Sequence, residues 1–168
     1  MSFLQNLVWK IAKSAKKESR IAAEGLANIY VSGNKAVIVE VNSETDFVSK
    51  NEEFRAMIDT IGNTILNSEA KSLEEALELS CEEGTIKDLI VAKTAKIGEK
   101  LDFRRVAVIE KNDDENFGKY LHMGGKIASL ALVKNASEEV AKDVAMQSAA
   151  MKAQYLDSAS VPADVVEK

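Results

Sequence analysis

Along residues 3–22, apolar residues fall at helical spacing (Leu4, Leu7, Ile11 and Ala15), while Lys10, Lys13, Lys17 and Arg20 stripe another face. This pattern predicts an amphipathic helix that Gly25 ends. The period then shortens. LANIYV and KAVIVEV are rich in β-branched and aromatic residues and flank SGN (32–34), which predicts a β-hairpin. Helical spacing returns at about 49–67, with Phe54, Met57, Ile58, Ile61 and Ile65 on one face. Ser49 and Glu52 have capping-box spacing at its start, and Asp46 is a second cap candidate. Ser72 and Glu75 open a short helix; Thr85 and Asp88 open a longer one that Gly98 closes. LDFRRVAVIEK (101–111) reads as a strand whose alternation breaks at Arg104 and Arg105, as a bulge would break it. FGKYLHM and KIASLALV form a second hairpin around Gly124 and Gly125, and a helix follows over 137–151. SVPADVVEK starts another element, with Pro162 near its beginning. Strands arriving in hairpins predict mostly antiparallel sheets packed against helices, an α+β fold.

The two hairpins resemble one another. Setting GNKAVIVEV (33–41) over GGKIASLAL (124–132) matches Gly33 with Gly124, Lys35 with Lys126, Val39 with Leu130 and Val41 with Leu132, about 91 residues apart. This suggests two related hairpin–helix halves. The second half continues VKNASEEV where the first has VNSETDFVSKNEEF. The Thr-Asp-Phe corner is thus an addition to one half of a shared scaffold, which favours a functional reading of it.

Composition narrows the functions. The chain has 168 residues, enough for one domain or two small ones. Its net charge of −5 speaks against direct nucleic-acid binding by the chain as a whole. The basic stripe on the first helix leaves an RNA-binding or scaffold reading as the alternative, although basic residues are not interleaved with aromatic ones. A lone cysteine, Cys81, suits a reducing compartment, and no apolar run approaches the length of a membrane span, so a cytoplasmic location without membrane association is expected. One histidine, His122, in a strand is a weak basis for a catalytic triad. Metal-ligand spacings, phosphate-binding glycine loops and a specified acid–base pair are absent, so no cofactor or metal is expected, and the pattern is that of a binding protein.

The strand-to-helix corner, EVNSETDFVSKNEEF (40–54), stands out because a phenylalanine sits beside an acid in a turn. Local rules allow two roles. Asp46 caps the helix while Phe47 packs as a hydrophobic staple on Asn51 or Phe54, or Phe47 projects outward as a contact.

KSAKKESRIAAEG (13–25), VEVNSETDFVSKNEEF (39–54), IGEKLDFRRV (97–106) and HMGGKIASLALV (122–133) resemble the translation elongation factor Ts family, in the family's order. The most specific block is TDFVSKN (45–51), where the family commonly has Ala in place of Ser49. The resemblance implies a guanine-nucleotide exchange factor for elongation factor Tu, not an enzyme, that promotes GDP release by disturbing the partner's Mg²⁺ site. It assigns that disturbance to Thr45, Asp46, Phe47 and Val48, with further partner contacts at Lys50, Asn51 and His122. It also implies a chain shortened at both ends. Residues 1–24 stand where a ubiquitin-associated-like domain would end, 25–111 form a first core half, and 112–168 begin an incomplete second one. An inactive fragment of such a factor is the remaining alternative.

Overall fold

The computed structural model describes residues 4–10, through their backbone pairing, and residues 24–151. In chain order the elements are β1 (Leu4–Lys10), β2 (Glu24–Ser32), β3 (Lys35–Ser43), α1 (Glu52–Leu66), α2 (Leu73–Leu77), β4 (Ser80–Cys81), β5 (Gly84–Thr85) and α3 (Ile86–Ile97). They continue with β6 (Asp102–Glu110), β7 (Glu115–His122), β8 (Ile127–Lys134) and α4 (Glu138–Met151). Single 3₁₀ turns lie at Val48–Lys50 and Met123–Gly125.

Strand β3 is apolar on both faces: Val37, Val39 and Val41 alternate with Ala36 and Ile38, and all five are fully buried. Such a strand needs cover on both sides. It lies at the centre of one antiparallel sheet, ordered β2-β3-β6. Its valine face meets Phe54, Met57, Ile58, Ile61 and Ile65 of α1 and Ile86, Leu89 and Ile90 of α3. Its other face, with Ala27 and Ile29 of β2, meets Ala128 and Leu130 of a second antiparallel sheet, ordered β1-β8-β7. Helix α4 covers the far side of that sheet, packing Ala141 and Ala145 on Ala131 and Val133. The layers run helices, sheet, sheet, helix, and the α+β class holds.

Several local expectations are met in detail. The register shifts between Glu40 and Val41 because Arg104 is the extra residue of a bulge. Thr85 and Asp88 close a full capping box, and Gly98 ends α3 in the left-handed region. Ser72 caps α2 by accepting from the Glu75 N–H, but the Glu75 carboxylate reaches back to the Lys71 N–H.

Two expectations are corrected. Residues 4–10 are not the start of a helix: they pair antiparallel along β8, completing a sheet whose centre would otherwise have an open edge. Ladder pairing here overrides a helical spacing supported by few residues. The rest of that span, with Ile11, Lys13, Ala15, Lys17 and Arg20, lies outside the described residues, as do SVPADVVEK and Pro162. Gly25 is not a helix stop but the second residue of β2, at φ 130°, where a Cβ would stand 2.2 Å from the Val41 carbonyl oxygen.

The internal match is real in topology but slips by one residue in register. The first hairpin closes at Ser32–Lys35 over two residues, the second at His122–Ile127 over four. Counted from those closing pairs, Val39 and Val41 correspond to Ala131 and Val133, which face α4 as the valines face α1. Leu130 faces the other sheet instead. A one-residue shift exchanges the faces of a strand, and the matched glycines hid it.

Helix α1 approaches β2 closely at Gly62, where a Cβ would lie 2.1 Å from the Tyr30 ring. The Tyr30 hydroxyl donates to Asp59 Oδ1 at 2.6 Å and accepts from Asn28 Nδ2 at 3.0 Å. Burial, and then the Asp59 carboxylate, push the Tyr30 hydroxyl above its ordinary pKa of 10.0. Gly62→Ala is expected to cost about 1–3 kcal/mol in urea unfolding by displacing that ring; an unchanged midpoint contradicts this packing. The folded state holds the Tyr30 proton more tightly than the unfolded state, so this contribution to stability is full below about pH 10 and is lost as pH rises beyond it. Unfolding midpoints measured from about pH 8 to about pH 11 should therefore fall less steeply in Tyr30→Phe than in the parent chain.

Candidate functional site

The corner between β3 and α1 is built from fixed ends. Ser43, the last residue of β3, is fully buried, and its hydroxyl donates to the Thr45 carbonyl at 2.8 Å. At the other end Asn51 caps α1, its side-chain oxygen accepting from the N–H groups of Glu53 (2.8 Å) and Phe54 (3.2 Å). The expected capping box of Ser49 and Glu52 is not formed, and Asp46 does not cap. Ser49 falls inside the 3₁₀ turn, and its hydroxyl donates to the Asp46 carbonyl at 2.5 Å. The extra turn moves the helix start to Asn51, and α1 begins at Glu52.

Successive backbone bonds hold the turn: Ser49 N–H to Asp46 O (3.2 Å), Lys50 N–H to Phe47 O (3.2 Å) and Asn51 N–H to Val48 O (2.9 Å). Arg55 Nε reaches back from α1 to the Ser49 carbonyl at 2.8 Å. The α3 end is tied to the α1 start as well, because Lys96 Nζ lies 2.6 Å from Glu53 Oε1. That hydrogen bond is the main reason the Glu53 carboxyl sits below its ordinary pKa and the Lys96 amine above its own.

Within this frame adjacent residues face opposite ways. Val48 is 5% exposed and belongs to the main core. Phe47 is 80% exposed. The ring therefore points outward and does not act as a staple on Asn51 or Phe54. Thr45, Asp46, Lys50 and Asn51 are exposed around it. Among the described residues the Asp46 carboxylate has neither a hydrogen-bond nor an ion-pair partner.

His122 ends β7 on the other sheet, exposed, with Nδ1 3.1 Å from the Tyr120 hydroxyl. It is not part of the corner. The turn after it borders the corner's supports, since Gly124 and Arg55 line one recess of about 190 Å³. Met123 in that turn is 65% exposed at φ 53°, a backbone region that bulky residues seldom enter.

Glu99 is the residue that sequence reasoning missed. Its carboxylate accepts from the Thr45 N–H at 2.9 Å and from Thr45 Oγ1 at 2.5 Å, across 54 positions of sequence. Its only local signal is its place directly after the helix-ending Gly98. Among the described residues no group of three or more His, Cys, Asp or Glu could hold a metal ion, and no helix is long and apolar enough to cross a membrane. An exposed acid and an exposed ring thus stand side by side on a turn held at both ends.

Comparison with known proteins matches most of the chain. A family model described as elongation factor TS matches residues 44–168, beginning at the corner. An elongation factor Ts of Limosilactobacillus fermentum is 50% identical over 157 residues, covering 94% of this chain and 54% of the relative. One from Pediococcus pentosaceus is 48% identical over 157 residues, with coverage of 94% and 54%. One from Acholeplasma laidlawii is 47% identical over 158 residues, with coverage of 94% and 53%. The chain spans about half the length of the curated relatives it matches.

The cap assignment is directly testable. Asn51→Ala should cost about 1 kcal/mol in urea unfolding, because it leaves two N–H donors of the first turn of α1 without their cap. Glu52→Ala should change stability by no more than about 0.5 kcal/mol, as surface changes do. The reverse order of costs would restore the capping box of Ser49 and Glu52.

Proposed function

The chain belongs to the elongation factor Ts family, and we propose that it is a guanine-nucleotide exchange factor whose corner, Thr45–Val48, loosens GDP in elongation factor Tu. The observation that carries this reading is Phe47, 80% exposed on a turn fixed at both ends. A ring of this kind brings large apolar area with few rotamers to freeze on insertion. Asp46, exposed and unpartnered, adds negative charge beside it. Mg²⁺ in the partner neutralises the nucleotide's phosphates, so moving its ligands slightly weakens GDP without any bond being made. In this reading Phe47 and Asp46 form the contact edge, Thr45 sets its backbone, and Val48 anchors it to the core. Lys50, Asn51 and His122 are carried as further contacts.

Linkage fixes the rest of the mechanism. If the factor weakens GDP by some ratio, GDP weakens the factor by the same ratio. The factor therefore binds nucleotide-free partner best, and incoming nucleotide displaces it. It needs no cofactor, membrane or nucleic acid, catalyses no covalent step, and works in the cytoplasm with the translation machinery. The division into 1–24, 25–111 and 112–168 belongs to the same proposal: residues 25–111 hold almost all of the β2-β3-β6 sheet with its helices.

The test is release of a fluorescent GDP analogue from elongation factor Tu on adding this chain and excess GDP. The chain should accelerate release; Phe47→Ala should abolish the acceleration and Asp46→Ala should reduce it. If acceleration is absent, a pull-down with nucleotide-free elongation factor Tu decides between an inactive fragment, which still binds, and a wrong assignment, which does not. RNA retention that weakens with salt, with no effect on GDP, would favour the RNA-binding alternative.

A further inference from the structure

Phe47 is too exposed for packing to hold its ring, so the direction in which it projects depends on the backbone of residues 45–48. On the C-terminal side the 3₁₀ turn and Ser49 fix that backbone. On the N-terminal side the tie from a distant segment is Glu99. Gly98, at φ 81° and ψ 11°, reverses the chain after α3 and delivers Glu99 to Thr45, where both carboxylate oxygens are used. The next residue reciprocates: the Lys100 N–H donates to Glu44 Oε1 at 2.7 Å. Adjacent residues on two remote segments thus exchange three hydrogen bonds, all of them to carboxylates, the stronger kind.

We propose that Glu99 is a positioning residue for nucleotide exchange, holding Thr45 so that Phe47 is presented in the orientation the partner meets. The inference rests on the reading of the corner as the exchange element. A loose corner would have to be ordered when the partner binds, and that cost would come out of the free energy available to displace GDP. Glutamine keeps the shape but not the charge: its oxygen can accept from the Thr45 N–H while its NH₂ donates to the Thr45 hydroxyl oxygen, so both bonds become neutral and weaker.

The experiment measures GDP-analogue release from elongation factor Tu for the parent chain, Glu99→Gln, Phe47→Leu, their double variant and Phe47→Ala, with thermal unfolding of each. A Thr45→Val and Thr45→Ser pair accompanies them. Glu99→Gln and Thr45→Val should slow release at saturating factor by about fivefold to tenfold, the scale on which a charge-assisted hydrogen bond exceeds a neutral one, while Thr45→Ser keeps the hydroxyl and releases as the parent does. In the Phe47→Leu background, where part of the acceleration remains, Glu99→Gln should slow release by a smaller factor than in the parent, although its effect on the melting temperature persists. That non-additivity marks a residue acting through Phe47. If Phe47→Ala loses release but Glu99→Gln behaves as the parent, or slows release by the same factor in the parent and Phe47→Leu backgrounds, the positioning role is overturned and the exchange reading stands. If the parent chain does not accelerate release, or Phe47→Ala releases as fast as the parent, the exchange reading fails and this role fails with it.

Discussion

Burial of β3 on both faces is the constraint from which the rest of the molecule follows. One face requires α1 and α3, the other requires the second sheet, and a strand so covered has little freedom to shift. Its buried acid is committed as well: Glu40 is fully buried and is paired with Arg105 across the strand, beside the bulge at Arg104. Breaking such a pair leaves a buried charge uncompensated, so the register at this end of the strand is strongly held. The strand therefore delivers Ser43 to one fixed place, and α1, pinned on the valine face, delivers Asn51 to another. The corner spans the short gap between two immobile ends.

That setting explains how neighbouring residues can do opposite things. Val48 turns into the core and gains the stabilisation of a buried aliphatic side chain, roughly 1.5–3 kcal/mol. Phe47, one residue earlier, turns out and gains nothing from the fold. A single exposed apolar residue is ordinary on a protein surface. This one carries weight because of what surrounds it: a 3₁₀ turn, a buried anchor, a capped helix and a carboxylate clasp from a segment 54 positions away. A rigid support under a ring with no internal role is the arrangement a contact with another molecule requires.

Elements that declare themselves through near neighbours were readable in the sequence. The hairpins, the face of α1, the Thr85–Asp88 box, the Gly98 stop and the bulge all depend on residues a few positions apart. The failures share the opposite property. Strand β1 forms because β8 offers it an edge, and nothing in LQNLVWK announces that edge. The half-to-half register depended on a turn two residues longer than its counterpart, which matched glycines concealed. The cap moved from Ser49 to Asn51 because of a 3₁₀ turn that no simple spacing rule anticipates. Glu99 was invisible because its partner is remote. At the site, the chemical character of Thr45, Asp46 and Phe47 could be read locally, but whether the ring faced in or out could not.

The account turns on Phe47 entering the nucleotide-binding region of the partner. A photoreactive benzophenone side chain at position 47 tests this most directly, with nucleotide-free elongation factor Tu and the crosslinked peptide identified by mass spectrometry. The account predicts crosslinks confined to the partner segments around the phosphate and Mg²⁺ site, and their loss as GDP is added, since linkage makes the two binders mutually exclusive in strength. Crosslinks to other surfaces of the partner, or a yield indifferent to GDP, would contradict it.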